Sequence, residues 1–227
     1  TPYVVLGGHD LRYETGSYVD DMGFNSELGF VRRSFHDDYA DTVMPFLEYG
    51  NGNYTAHLDD GARADGNQRY IGAGILVRRD KKSGLHYEGM VRAGRLDGDF
   101  RGTIGKYAAT YDTTSPYIAA HVGVGKVKTY GNKDFDWYGK FFWTHLGSDS
   151  VLVHSELGDS RYHFDDVNSY RTRLGLRWTK HQSDSRSYYA GLGWDYEFDG
   201  EARAQYQVFD TPSPSVHGSS GFLELGW

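Results

Sequence analysis

Three short segments combine histidine with aspartate, the residue types that bind metal ions or exchange protons in catalytic sites. They are FHDDYAD (35–41), HLDDGARADG (57–66) and YHFDDV (162–167). None has the paired histidines of a zinc protease, and DDGARADG lacks the alternating ligands of an EF-hand calcium loop. We therefore predict that these segments are solvated acidic loops with at most weak affinity for Ca²⁺, and we expect no metal and no cofactor.

Hydrolytic chemistry would require a nucleophile or an activated water beside a histidine and a carboxylate. Nothing in the spacing of the candidate groups requires them to meet. Gly218-Ser219-Ser220-Gly221 is one residue short of a G-x-S-x-G nucleophile elbow, and it precedes a predicted strand rather than a helix. We therefore assign no catalytic residue and predict that the protein is not an enzyme. The groups considered are His36, Asp37, His163, Asp165 and Ser219.

The composition excludes several other classes of protein. The 227 residues include no cysteine, so no disulfide or thiolate site exists, and the net charge of −7 argues against binding to nucleic acid. The mean hydropathy is −0.64, and no run approaches the ~18 apolar residues of a membrane-spanning helix. A transmembrane barrel remains allowed, because its strands are short and only half apolar.

The elements that would position any site are strands, since side-chain character alternates with period two along most of the chain. In SYRTRLGLRW (169–178) three arginines share one parity, and two leucines and a tryptophan share the other. The same division recurs in a single domain, 1–227, with ten or eleven predicted strands. Alternation is weaker in the first ~60 residues, where we predict segments near 9–16, 25–36 and 41–56. Short turns are predicted near 79–84 and 199–201, and long polar loops at 57–68, 99–114, 148–167 and 210–218.

The charged parity of these strands is unusual for a solvent-facing surface. It mixes both signs of charge with many glycines and few lysines, and glycine facing bulk water would weaken a strand. Inside a narrow barrel, glycine would instead leave room for large side chains, and carboxylates would balance the arginines. We predict that the charged residues face a lumen: Glu88, Arg92, Arg171, Arg173, Arg177, Asp195, Glu197, Arg203 and Glu224.

The apolar parity carries aromatic residues near the ends of the strands and aliphatic or small residues in the middle. This distribution is typical of the aromatic girdles that flank a lipid-facing band. The predicted interface aromatics are Trp137, Trp143, Tyr170, Trp178, Tyr188 and Phe198. The predicted fold class is therefore all-β, a transmembrane antiparallel up-and-down β-barrel. A soluble sandwich or ligand-binding barrel is the alternative.

Five segments also carry a family resemblance through their order and spacing. They are HYEGMVRAGRLDGDF, SPYIAAHVGVGKV, SYRTRLGLRW, RSYYAGLGWDYEFDG and GSSGFLELGW. Together they resemble the C-terminal translocator domain of bacterial autotransporters, the type V secretion proteins, over roughly residues 70 to 227. The resemblance implies a 12-stranded barrel in the bacterial outer membrane that helps to export an N-terminal passenger domain. It also implies insertion by the barrel-assembly machinery and a linker helix in the pore.

The chain departs from the family pattern at both ends. The sequence from Thr1 onward contains no passenger and no obvious linker helix, and in the family about two more strands usually follow the segment resembling GSSGFLELGW. We therefore expect a fragment truncated at both ends, with about 10–11 of 12 strands, although Trp227 has the character of a terminal assembly aromatic. Some family members cleave their passenger with lumenal carboxylates, for which Glu88 and Glu224 would be candidates, but no motif here supports that role.

The expected partners follow from the family resemblance and from the predicted membrane location. They are outer-membrane lipid, lipopolysaccharide, the barrel-assembly machinery and the passenger domain. The alternative function is that of another outer-membrane barrel, a surface enzyme or an adhesin.

Overall fold

The structure is a computed structural model of the whole chain. It describes residues 1–14, 18–57, 63–104, 107–147, 149–156, 158–164, 166–199, 204–206, 209–210 and 218–226. No helix in these ranges is long and apolar enough to cross a membrane.

Nearly all of the described residues lie in β-strands, most of them long. The strands are β1 (Pro2–Glu14), β2 (Tyr18–Phe30), β3 (Arg32–Phe35), β4 (Tyr39–His57), β5 (Arg63–Lys81), β6 (Leu85–Ile104), β7 (Tyr107–Tyr130), β8 (Lys133–Leu146), β9 (Asp149–Ser155), β10 (Gly158–Phe164), β11 (Val167–Ser183), β12 (Arg186–Asp199), β13 (Ala204–Tyr206), β14 (Phe209–Asp210) and β15 (Gly218–Gly226).

Ten of these strands form an antiparallel meander. Its order is β1-β2-β4-β5-β6-β7-β8-β11-β12-β15, so each strand pairs with the next long strand in the chain. The short strand β3 continues along the same edge of β4 as β2. The sheet curls as half of a barrel wall, which confirms the predicted all-β up-and-down class.

The two ends of the strands are connected differently. At one end the turns are short, and glycines with positive φ close two of them: Gly84 at 92° and Gly131 at 62°. Glycine adopts a positive φ far more readily than residues that carry a Cβ. The turns at residues 36–38, 82–84, 131–132 and 184–185 define this end, which we call the short-turn rim.

The opposite end consists of extended hairpins, and the prediction of polar loops there was wrong in part. Residues 99–114 belong almost entirely to β6 and β7, which stay paired up to Ile104 and Tyr107. Residues 148–167 contain the hairpin of β9 and β10. Backbone pairing continues beyond the apolar residues because the hydrogen-bond ladder between strands requires no apolar side chains. In this extension the Phe100 and Tyr111 rings also stack, with their centres 4.7 Å apart.

Of the first three predicted segments, 41–56 falls within β4, but the boundaries of the other two were wrong. Residues 9–14 are the end of β1, residues 15–16 lie outside the described ranges, and 25–36 spans the end of β2 together with β3. Alternation is weak there because polar residues occur on both parities, so periodicity alone could not locate the register.

Large apolar side chains lie mainly on the exposed face of the sheet. Leu174 is 52% exposed and Leu192 is 59% exposed, whereas the apolar residues found buried in the described part of the chain are few and mostly small: Ala40, Phe46, Ala64, Ala109 and Ala119. A soluble sheet would place its aliphatic face inward. We call the exposed face the apolar face and the opposite one the charged face.

Candidate functional site

The charged face holds polar groups that are more buried than the leucines behind them. Glu48 is 9% exposed and Glu88 is 7% exposed, while Leu47, adjacent to Glu48, is 59% exposed. Burial of ionised groups is costly unless they are paired and hydrogen-bonded. The side chains of this face are therefore organised as pairs and small networks.

The three C-terminal strands of the sheet share two arginine–carboxylate pairs. Arg173 donates to Asp195 through Nε at 2.8 Å and through a terminal nitrogen at 2.9 Å. Arg177 donates to Glu224 at 3.1 and 2.8 Å. Both contacts are bidentate, the geometry in which a guanidinium fork and a carboxylate fit best. They connect β11 to β12 and β11 to β15.

Glu88 on β6 is the centre of a larger cluster. Its carboxylate lies 2.9 Å from His121 Nε2, 3.3 Å from Lys140 Nζ and 3.7 Å from Arg78. These three basic groups come from β7, β8 and β5, so one carboxylate joins four strands. The cluster balances the burial of Glu88 with positive groups on both sides.

Glu48 on β4 is the centre of a second cluster. It accepts hydrogen bonds from Arg92 at 3.1 and 3.2 Å and from the Tyr117 hydroxyl at 2.6 Å. The Arg92 guanidinium also lies 5.9 Å from the centre of the Tyr117 ring. Arg92 is one of the residues predicted to face the lumen.

Glycines lie between the partners of these long contacts. Gly123 pairs in register with both Glu88 and Lys140, and a Cβ there would lie 3.0 and 3.1 Å from their Cγ atoms. Gly191 lies in the same way between Arg177 and Glu224. A side chain on the intervening strand would fill the space that the partners cross, so glycine permits pairing between strands that are not neighbours.

Arg171 differs from its neighbours on β11. No carboxylate contacts it within the described part of the chain; its guanidinium lies 4.6 Å from the centre of the Phe142 ring, and its Nε is buried without a hydrogen-bond partner. Glu197, directly across from it, instead accepts a hydrogen bond from Ser169 at 2.6 Å. Arg203 lies outside the described residues.

The predicted interface aromatics fall in two rows on the apolar face. Trp137, Trp178 and Tyr188 lie toward the short-turn rim, and Trp143, Tyr170 and Phe198 lie toward the extended hairpins. From Trp178 to Tyr170 is eight residues of β11, ~27 Å along the strand at ~3.4 Å per residue. A strand tilt of 35–45° shortens this to roughly 20 Å, close to the ~25 Å height of the apolar band of outer-membrane barrels.

The short-turn rim contains a hydrogen-bond network that joins four strands. Asp134 accepts a hydrogen bond from the Thr129 hydroxyl at 2.6 Å and lies 2.7 Å from His181 Nε2, while His181 Nδ1 lies 3.1 Å from the Ser187 hydroxyl. The Thr129 hydroxyl and His181 lower the pKa of Asp134 below its usual value, against the opposing effect of partial burial.

The side chains considered for hydrolysis are not brought together. His36 lies in the turn between β3 and β4 at the short-turn rim, whereas His163 lies in β10 at the opposite end. Asp165 is outside the described residues, as is the side chain of Ser219. In the described ranges, no group of three or more histidine and carboxylate side chains is placed to hold a metal ion.

Several residues that organise the charged face were missed as site residues. Glu48, Arg78, His121 and Lys140 all lie on the charged face, on the parity opposite to the exposed apolar residues of their own strands. Parity was therefore the available signal. It could not show that Glu88 would gather three of them, because that depends on the register between strands.

The chain matches known proteins by family and by fold. The family model described as Autotransporter beta-domain matches residues 42–227, so the resemblance begins well before residue 70. The fold is similar to the β-domain of the Bordetella autotransporter BrkA, with a TM-score of 0.73 and 17% identity over 98% of this chain and 91% of that one. A search of curated proteins finds no significant sequence match.

Two other solved structures have the same fold. The translocator domain of NalP from Neisseria meningitidis has a TM-score of 0.67 at 14% identity, covering 100% of this chain and 81% of that one. The transport unit of AIDA-I from Escherichia coli has a TM-score of 0.65 at 13% identity, covering 98% of this chain and 77% of that one.

Proposed function

Since the chain belongs to the autotransporter β-domain family, we propose that it is the outer-membrane translocator of a type V secretion protein. In this role it assists the export of an N-terminal passenger domain to the bacterial cell surface. The role is one of transport, and we propose it without a catalytic step. Residues 1–227 act as a single membrane-embedded domain.

The observation that carries the proposal is the inverted distribution of side chains between the two faces. The exposed face is aliphatic and bordered by aromatic rows, and the charged face is internally paired. Lipid solvates the first arrangement, and water or a passing polypeptide is compatible with the second. We therefore propose that the apolar face contacts lipid and that the charged face lines the lumen.

The proposed partners follow from the same arrangement. The passenger domain is the cargo, outer-membrane lipid and lipopolysaccharide surround the apolar face, and the barrel-assembly machinery inserts the domain. On β15, Leu223 and Leu225 are exposed and alternate with Glu224. In the proposed arrangement these two leucines contact lipid, and Glu224 faces the lumen.

An export assay tests this function. A signal peptide, an epitope-tagged passenger and a flexible linker would be fused before Thr1 and expressed in Gram-negative cells. We expect the tag to be accessible to antibody and to external protease on intact cells. We also expect residues 1–227 to show heat-modifiable migration on SDS gels, the mark of a folded membrane barrel.

The control is the same passenger with its signal peptide but without residues 1–227, which should stay protected in the periplasm. A folded, heat-modifiable domain with a fully protected tag would contradict the transport function. A domain that stays monodisperse without detergent would contradict the membrane location.

A further inference from the structure

On β5, β7, β8 and β11, six basic side chains project from the apolar face close to the short-turn rim. By parity they share the face of the aliphatic residues of their own strands, and most of them are exposed. We call this group the basic rim: Arg79 and Lys81 on β5, Lys126 and Lys128 on β7, Lys133 on β8 and Lys180 on β11. The group spans five adjacent strands, ~19 Å across the sheet at ~4.8 Å per strand.

Aromatic side chains alternate with these cations in register. Lys126 pairs with Trp137, and Lys128 pairs with Phe135, which in turn pairs with Trp178. One step nearer the rim, Lys133 pairs with both Tyr130 and Lys180. The basic rim therefore coincides with the aromatic row nearer the short-turn rim, which contains Trp137, Trp178 and Tyr188. This row lies at the margin of the aliphatic band.

The four lysines outside β5 have no carboxylate partner among the described residues. This contrasts with the charged face, where Lys140 lies 3.3 Å from Glu88 and Arg173 contacts Asp195 at 2.8 Å. On β5, Arg79 pairs with Asp41, and the Lys81 ammonium lies 5.9 Å from the centre of the Tyr87 ring. On the charged face, Lys140 and Arg173 are therefore paired within the protein, whereas these four outward lysines can bind an external anion.

The opposite end of the apolar face has a different charge pattern. Arg69 and Arg95 lie 4.0 and 3.4 Å from Asp97. Asp99 and Asp112, on the same parity, pair in register with each other. Among the described residues, Arg69 and Arg95 therefore share a carboxylate partner at the extended hairpins, whereas the four lysines of the basic rim outside β5 have none.

We propose that the basic rim binds the phosphate groups of anionic phospholipids in the membrane leaflet at the short-turn end. In outer-membrane barrels the short turns are periplasmic. The leaflet at the short-turn end is therefore the inner leaflet, which consists of phospholipid. Ring faces and edges occupy the headgroup boundary, while the lysine ammonium groups reach the phosphates from flexible aliphatic stems. Anionic lipid is attracted to such polybasic segments.

The geometry favours a lipid surface over an acidic protein. The cations follow the margin of the aliphatic band across five strands. Arg79 and Lys128 line two different cavities, so the group is not gathered around one pocket. A leaflet of headgroups also extends along such a margin. A protein bound to the same cations would displace the lipid headgroups from the aromatic side chains that lie between them.

The inference rests on the proposed membrane location, and lipid selectivity tests it separately. The full chain would be folded into phosphatidylcholine vesicles containing 30% phosphatidylglycerol. Spin-labelled phosphatidylglycerol or phosphatidylcholine would report the fraction of lipid immobilised on the protein. Lys126→Gln/Lys128→Gln/Lys133→Gln is the test variant. Arg101 lies on the same face of β6 as Arg95, nearer the extended hairpin. Arg69→Gln/Arg95→Gln/Arg101→Gln removes the same charge at the other end and is the matched control.

We expect the wild-type protein to prefer phosphatidylglycerol about threefold or more, because an attraction of about 1 kcal/mol per basic residue corresponds to about fivefold at one site, and the spin label averages over all lipid around the protein. The preference should fall in the lysine variant, which keeps Arg79, Lys81 and Lys180, persist in the arginine variant and weaken in 0.5 M salt. Equal immobilisation of both lipids by the wild-type chain, or equal losses in both variants, would overturn the inference. Failure of the chain to insert into either vesicle would instead contradict the proposed function.

Discussion

The Tyr117 hydroxyl donates a 2.6 Å hydrogen bond to Glu48 although β7 and β4 are separated by two strands. The four residues in register across the sheet are Glu48, Gly72, Gly94 and Tyr117. The tyrosine therefore lies across two glycines to reach the carboxylate. The contact joins four strands through a single side chain.

Gly94→Ala should weaken this connection. The new Cβ would lie 2.6 Å from the Tyr117 hydroxyl and 2.7 Å from the Gly72 Cα, so the ring or the backbone must shift. Overpacking of this kind costs about 1–3 kcal/mol. The urea midpoint of the vesicle-inserted domain, read from heat-modifiable migration, should fall. Gly89→Ala, on the same strand with its nearest contact at 3.9 Å, is the control and should leave the midpoint unchanged. Equal midpoints for the two variants would contradict the packing argument.

Glu88→Gln should destabilise the domain more than Glu224→Gln. Glu88 is 7% exposed and lies beside three basic groups, whereas Glu224 is 28% exposed and pairs with Arg177. Removing one partner of a largely buried charge pair costs about 3–5 kcal/mol, and exposure reduces that cost. The two urea midpoints measure the difference, and a larger loss in Glu224→Gln would show that the Glu88 cluster is not a principal support of the sheet.

Arg171→Gln should cost less stability than Arg173→Gln. Arg171 contacts the Phe142 ring and has no carboxylate partner in the described ranges, whereas Arg173 makes a bidentate pair with Asp195. Loss of the ring contact costs about 0.5–2 kcal/mol, and loss of the pair also leaves Asp195 without its partner. Equilibrium unfolding of both variants in urea provides the comparison. The reverse order would mean that Arg171 has a stronger partner in the membrane-inserted domain.

Leu174→Arg should impair membrane insertion. Leu174 lies midway between the aromatic residues Tyr170 and Trp178 on the apolar face and is 52% exposed. An arginine at the centre of a lipid-facing band costs about 2–4 kcal/mol. The folded fraction in vesicles should drop, while Leu174→Phe, which keeps an apolar side chain, should insert as the wild type does. Full insertion of Leu174→Arg would place this face away from lipid.

The Asp134 network should make stability sensitive to acid at the short-turn rim. Because the pKa of Asp134 is lowered in the folded state, its contribution is present above the ordinary value of 3.8 and is lost as the pH falls through the folded-state pKa. Asp134→Asn and Thr129→Val should both flatten the acid side of the stability curve, measured as urea midpoint against pH. If the urea midpoint of both variants falls with decreasing pH as it does in the wild type, the Asp134 network is not the cause of the acid sensitivity.

The family and the fold class could be read from the sequence because both depend on short-range patterns. Period-two alternation around Arg173 and Leu174 predicted strands with one charged and one apolar face, and the aromatics at Trp137 and Trp143 predicted the two rows. The lengths of β6 and β7 could not be read in this way. Their paired ends continue through polar residues, where hydrogen bonding between backbones and not side-chain character maintains the strand.

The sequence by itself determined which side chains share a face, since alternation is a property of each strand alone. Only the tertiary structure decided which of them meet. Glu88 reaches Lys140 past Gly123, and Arg177 reaches Glu224 past Gly191, because the register of three strands aligns each pair with a glycine between them. Register arises from long-range pairing of the whole sheet, so no local stretch of sequence contains it.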